Sequence, residues 1–256
     1  MDPTPPENST SETDTLREIL DAASKVRDNA EQLYSEARIL RAAGALARSL
    51  FLHQISLEEC AKVDMLGAWA VSQQLTGETT DSKKFWKALA SHKAKNSTNA
   101  YLMPATEAER RAREAGDWSA AIQFFLDDKT QFHNDSNTAK NAALYVDVRE
   151  GFCSTPVEQI SESMVKEIVA RNERFLTHAN THVRVLARWV ESPAEFVEIN
   201  RWFVERAKEL QDLDATDPEQ IVSTLLEDGH QKHLELLLKR TKQGEPTTTS
   251  DATGKA

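Results

Sequence analysis

Apolar positions recur every three or four residues along most of this chain, which is the spacing of one helix face. Val26, Ala30, Leu33, Ala37 and Leu40 form a first stripe. Leu52, Ile55, Leu66 and Trp69 form a second. Val165, Ile168, Asn172, Phe175, Leu176, Ala179, Val183 and Leu186 form a third. The pattern predicts long helices over about 15–42, 45–75 and 156–190. Thr15 and Glu18 have the spacing of a capping box and place the first start near Asp14. Gly44 marks either a break or a close helix contact, and the second helix ends before Gly77. Shorter helices are expected over 82–95, with Phe85, Trp86 and Leu89 inward, and over 105–115, a charged surface type. Another is expected over 117–128, carrying Trp118, Ile122, Phe125 and Leu126, and two more at about 194–211 and 217–239. Q-F-H-N-D-S-N-T at 131–138 reads as a loop and G-F-C-S-T-P at 151–156 as a turn. Leu144, Val146 and Val148 alternate with Tyr145 and Asp147, so a short extended segment is expected near 143–148.

The fold class is therefore all-α, a helical bundle with that extended segment and a helical C-terminal extension. Polar tails are expected to be disordered at 1–13 and 241–256. The bundle domain spans 14–191 and the extension 192–240, punctuated by Ser192-Pro193. No internal repeat is present.

Glu59 and Lys62 break the second stripe, falling where the period asks for apolar side chains. Three residues apart, they can touch, and Glu58 reaches Lys62 as an i,i+4 partner. Buried charges are costly unless paired. Two readings are open: a salt bridge that fixes helix register, or a pocket where Lys62 holds an anion that a carboxylate orients. Spacing alone favours the salt bridge.

Composition narrows the function. The 256 residues are 39% hydrophobic and carry a net charge of −10. That balance excludes a protein that coats nucleic acid, but not an enzyme cutting RNA at a small site. Cys60 and Cys153 give no disulfide framework, and Cys60 reads as a small buried thiol. The cysteine pattern, the lack of a leader and the lack of a long apolar run lead to the expectation of a cytoplasmic protein with no membrane span.

Three further constellations could carry chemistry. His92 and Lys95 in S-H-K-A-K-N share a face if helical. Nearby ammonium groups would favour a neutral imidazole, suited to a general base or a phosphate contact. A solvated basic helix end is the plain alternative. Asp147, in the run from Lys140, could meet a lysine from another helix or lie at the surface. In R-N-E-R-F-L-T-H, Arg171 and His178 are two turns apart beside the inner stripe, with His182 and Trp189 continuing the line. Arg can stabilise a pentacoordinate phosphate, and His can take or give the 2′-hydroxyl or leaving-oxygen proton. The alternative is an exposed polar helix face. No metal site, phosphate loop or nucleophile elbow is recognised, and no cofactor is expected; His53 and Glu58 lack further ligands at a known spacing.

Gly44, A-L-A-R-S-L-F-L-H-Q-I-S-L-E-E-C-A-K, S-H-K-A-K-N and K-N-A-A-L-Y-V-D-V with Pro156 downstream, taken in this order, resemble the AbiV-type abortive infection proteins. These are phage-defence proteins of the HEPN superfamily of helical domains. The resemblance covers about residues 25–190. It implies a bacterial protein that halts growth or translation on infection. Glu59, Lys62, His92, Lys95, Tyr145 and Asp147 fall at the family's motif positions, and the resemblance implies that they converge on one pocket. That tilts the opening question toward a functional site framed by Glu59 and Lys62. HEPN domains carry an R-x4-6-H motif, often with a polar residue after the Arg, and many are metal-independent ribonucleases that dimerise across it. Arg171-Asn172 to His178 fits this at its longest spacing. The implied partners are an RNA substrate and a second copy of the chain. Two other classes stay open. One is a non-catalytic protein that binds a phage or translation component. The other is a nucleotide-binding module with Lys62, His92 and Lys95 on the phosphates.

Overall fold

The computed structural model describes residues 9–76, 82–101, 103–212, 228 and 232. It divides into two compact units, Met1–Val190 and Glu191–Ala256. Of the tail expected at 1–13, residues 1–8 lie outside the described residues and residues 9–13 are helical rather than disordered. The tail expected at 241–256 lies outside the described residues, as does the expected helix at about 217–239 apart from Asp228 and Lys232.

The first unit opens on an antiparallel helix pair, α1 (Ser9–Ala42) and α2 (Leu46–Thr76). Helix α1 starts upstream of the capping box expected at Asp14. No proline or glycine follows Pro6 until Gly44, so nothing stops the helix from extending. Gly44 is the break. At φ +77° it lets its own N–H reach Arg41 O and that of Ala45 reach Leu40 O, closing the helix end with two bonds.

The seam between α1 and α2 is built from small residues. Ala23, Ala30 and Ala37, seven apart, are fully buried on α1. Across from them Ser49 Oγ donates to Ala37 O at 2.8 Å and Ser56 Oγ to Ala30 O at 2.7 Å. Side chains this small let the backbones approach closely, and each buried hydroxyl finds a carbonyl. Helix α2 is buried on more than the one stripe: His53, Ser56, Leu57, Glu58, Cys60, Ala61 and Val63 are all inside. It is the central helix, which explains why a single-stripe reading misses its deepest residues.

The outer helices depart from expectation at three places. The segment 82–95 is two helices, α3 (Ser82–Ala90) and α4 (His92–Tyr101), because Ser91 caps the second by accepting the Ala94 N–H. Phe85 stacks on Trp69 of α2 with ring centroids 4.3 Å apart, while Trp86 is exposed rather than inward. After α5 (Glu107–Glu114), α6 runs unbroken from Trp118 to Leu144, straight through the expected loop at 131–138. Asn, Asp and Ser favour turns, but with no glycine or proline between them the helix continues. Its buried side is Ala121, Ser136 and Ala143, so Ile122 and Leu126 face outward.

The extended segment is a small hairpin of β1 (Asp147–Arg149) and β2 (Phe152–Ser154), antiparallel, with Val148 opposite Cys153. Its turn uses Gly151 at φ +70°. Ala143 and Leu144 belong to α6, so pairing begins three residues later than the alternation implies. The long helix expected from Pro156 is likewise divided. Thr155 and Glu158 form a capping box on α7 (Pro156–Gln159), and Ser161 caps α8 (Glu162–Glu191) through the Met164 N–H. The third stripe is buried along α8 as the period predicts. Ties from α1 hold it: Tyr34 donates to Glu173 at 2.7 Å and Arg27 to Asn180 at 2.9 Å.

The second unit contains α9 (Pro193–Asp212). Within it, Arg206 bonds Asp228 at 2.8 Å and Glu209 at 2.9 Å. Among the described residues no helix is long and apolar enough to cross a membrane.

Candidate functional site

Polar side chains gather at three places in the first unit. The first is centred on Glu58, whose side chain is 4% exposed. Helix α4 brings His92 and Lys95, one turn apart, and α6 brings Lys140. Lys95 Nζ lies 3.0 Å from Glu58 Oε2, His92 Nδ1 2.5 Å from the same oxygen, and Lys140 Nζ 3.0 Å from Oε1. Burial by itself raises the carboxyl pKa. The hydrogen bonds from Lys95, Lys140 and His92 outweigh it and hold Glu58 below the ordinary carboxylate range. Every oxygen is engaged, so the arrangement is a cross-link of α2, α4 and α6 rather than an open anion site.

Glu59 and Lys62 form their own pair at 2.5 Å, one turn apart on α2. Tyr145, at the end of α6, is exposed. Asp147 makes a two-pronged pair with Arg149 on the hairpin, at 3.0 and 2.6 Å, which pulls its carboxyl pKa down. Of the residues implied to converge, only His92 and Lys95 therefore meet, and they do so on Glu58. Glu59 with Lys62, and Asp147 with Arg149, are local pairs, and Tyr145 stands apart. Lys140 completes the cluster. It becomes visible in the sequence once residues 131–138 are read as continuous helix, which fixes its phase.

The second place surrounds Arg171. Its guanidinium bonds Glu167 at 2.6 Å and sits 5.2 Å above the Phe132 ring. Desolvation lowers its pKa. It walls a groove of about 380 Å³ between α2, α6 and α8, with Leu50, Gln54, Phe132 and Ser136. The next residue does not orient it. Asn172 is fully buried and points the other way. Its Nδ2 contacts His53 Nδ1 at 3.0 Å and His53 O at 3.3 Å, and its Oδ1 lies 3.1 Å from Ser56 Oγ. Asn172 is thus a pin between α8 and α2. Burial, reinforced by the Arg41 charge, lowers the His53 pKa to about 4, so the ring is neutral. With Nδ1 accepting from Asn172, the ring proton sits on Nε2, which has no hydrogen-bond partner.

The third place is where α8 crosses Asp64 of α2. His178 Nε2 lies 3.4 Å and His182 Nδ1 2.5 Å from Asp64 Oδ1. The two rings are 4.0 Å apart, centroid to centroid. Neither Asp64 Oδ1 nor His178 Nε2 makes a hydrogen bond of acceptable geometry. The Asp64 side chain is only 10% exposed, whereas the imidazoles are about one-third exposed. Desolvation lowers the His178 pKa against the pull of Asp64, with His182 lowering it further. Arg171 and His178 lie seven residues apart, about 10 Å along the helix, and their contacts do not overlap. The set Asp64, His178 and His182 was not assembled from the sequence. Its one sequence signal is the H-x3-H spacing at 178 and 182, which puts both rings on one face.

The bundle of long helices with its short hairpin is consistent with a HEPN-type helical domain. The AbiV family model, of HEPN type, matches residues 18–177. The chain belongs to the AbiV family. The matched span holds the Glu58 cluster and Arg171 and ends one residue short of His178. A curated relative, the uncharacterized protein y4gJ of Sinorhizobium fredii (strain NBRC 101917 / NGR234), is 38% identical over 109 residues. The aligned region is 43% of this chain and 57% of that protein. No solved structure matches the chain.

Proposed function

We propose that the protein acts in abortive infection in the bacterial cytoplasm, arresting growth of the infected cell by cleaving RNA without a metal ion. The observation that carries this reading is the pair of imidazoles, 4.0 Å apart, set against the buried Asp64 carboxylate. His178, biased to its neutral form, accepts the proton of an RNA 2′-hydroxyl as O2′ bonds to phosphorus. His182, next to Asp64, gives a proton to the 5′-oxygen as the P–O5′ bond breaks. The products are a 2′,3′-cyclic phosphate and a 5′-hydroxyl. Arg171 supplies positive charge to the phosphate oxygens. Since it does not meet His178 within one chain, the reading includes a homodimer in which Arg171 of one copy serves His178 of the other.

A second reading is favoured by one surface. Tyr145, Val146, Val148, Phe152 and Val157 are each more than half exposed around the hairpin. That apolar surface suits a phage protein or a translation component, bound without catalysis. The nucleotide-binding reading loses its support, because Lys62 and Lys95 are already paired with carboxylates and His92 already contacts Glu58.

Induced expression in bacteria separates the two, with growth and total RNA integrity followed together. Arrest with fragmented RNA, abolished by His178→Ala and by Arg171→Ala, supports cleavage. Arrest with intact RNA, abolished by Val148→Ser with Phe152→Ser, rejects cleavage and supports binding through the hairpin.

A further inference from the structure

We infer that Asp64, His178 and His182 form a binding site for a divalent first-row transition-metal ion, of which Zn²⁺ is the best match. One candidate ligand atom from each side chain lies within 4.8 Å of the other two. Imidazole nitrogen and carboxylate oxygen are the donors that such ions take. Two ligands held about 2.1 Å from a tetrahedral ion stand roughly 3.4 Å apart. The His178 Nε2–Asp64 Oδ1 separation is 3.4 Å, so that edge is already in place. His182 Nδ1, at 2.5 Å, needs to open by roughly 0.9 Å to reach the same spacing. Its ring is about one-third exposed and has room to turn.

Two further observations point to a ligand rather than a closed ion pair. Asp64 Oδ1 and His178 Nε2 are both shielded from solvent, and both lack a hydrogen bond. A satisfied His–Asp pair would have spent those atoms on each other. Histidines four apart on one helix face form a familiar two-point clip. The third ligand comes from a different helix, so an ion would tie α8 to α2. Three protein ligands with exposed imidazoles leave the fourth position to water.

The inference stands on this geometry and not on RNA cleavage. If both hold, they oppose each other: an ion on His178 and His182 takes the lone pairs that proton transfer needs, making the metal an inhibitor.

The test uses the full chain, stripped with a chelator and dialysed. Zn²⁺ alone is titrated calorimetrically, and Co²⁺ is added separately to read its visible d–d bands. One ion per chain is expected, with bands of tetrahedral intensity and a higher melting temperature in Zn²⁺. His182→Gln and the near-isosteric Asp64→Asn should each weaken binding at least about 10-fold. His133→Gln, remote from the set, should not. No binding by the wild type would overturn the inference. So would equal binding by folded His182→Gln and Asp64→Asn proteins. RNA cleavage by the stripped protein is scored separately and requires no ion, so failure of either idea is visible without the other.

Discussion

Glu58→Ala removes the carboxylate that Lys95, Lys140 and His92 share and leaves two ammonium groups, with side chains 7% and 13% exposed, facing a gap. Breaking a buried pair by deleting one partner costs about 3–5 kcal/mol, because the remaining charge stays desolvated. Here two charges remain, so the upper part of that range is expected. A domain of this size has about 5–15 kcal/mol in total. At about 2–4 °C per kcal/mol, the melting temperature should fall by roughly 8–20 °C. Circular dichroism melts of wild type and variant measure this directly. The loss should change little between low and high salt, since buried pairs are poorly screened. Adding Lys95→Met to Glu58→Ala should recover part of the stability by removing one stranded charge. A loss below about 1 kcal/mol would place the cluster with solvated surface pairs and refute the cross-link. So would a double variant less stable than Glu58→Ala alone.

Four other outcomes are expected. His53 titrates near 4 when folded and near its ordinary 6.5 when unfolded, so the unfolded chain binds more protons between those values. Stability should therefore decline as pH falls from about 6.5 to 4, by up to about 3 kcal/mol, and His53→Gln should flatten that part of a denaturation-midpoint profile. Asn172→Ala strands His53 Nδ1 and costs about 1–3 kcal/mol by urea titration, with Arg171 still bound to Glu167. Gly44→Ala forces a side chain into φ +77° and costs about 1 kcal/mol in the same assay. If Arg171 and His178 act across a dimer, co-expressing Arg171→Ala with His178→Ala restores RNA cleavage that neither variant has alone, because one of the two composite sites is intact; no recovery would confine each site to one chain.

The α8 stripe was legible because that helix buries one face, and a three-four period reports one face well. Helix α2 was harder. It is covered on several sides, so its single apolar stripe marks Glu59 and Lys62 as the polar breaks and leaves out Glu58, which faces α4 and α6. The continuity of α6 was hidden by local turn preference at Asn134, Asp135, Ser136 and Asn137, and Lys140 was lost with it. Helix breaks at Ser91 and Ser161 depended on single capping bonds, which composition does not announce. Asp64 and His178 are more than one hundred residues apart in sequence, and their meeting depends on how α2 and α8 cross. Only the H-x3-H half of that set was present in the sequence.

The most direct test of the central claim is cleavage of RNA by the purified, chelator-treated protein, with the ends of the products identified. The account predicts fragments ending in 2′,3′-cyclic phosphate and a rate lowered by about 10²–10⁴ in a folded His178→Ala protein. RNA left whole by the wild type, or cut equally by His178→Ala, would contradict it.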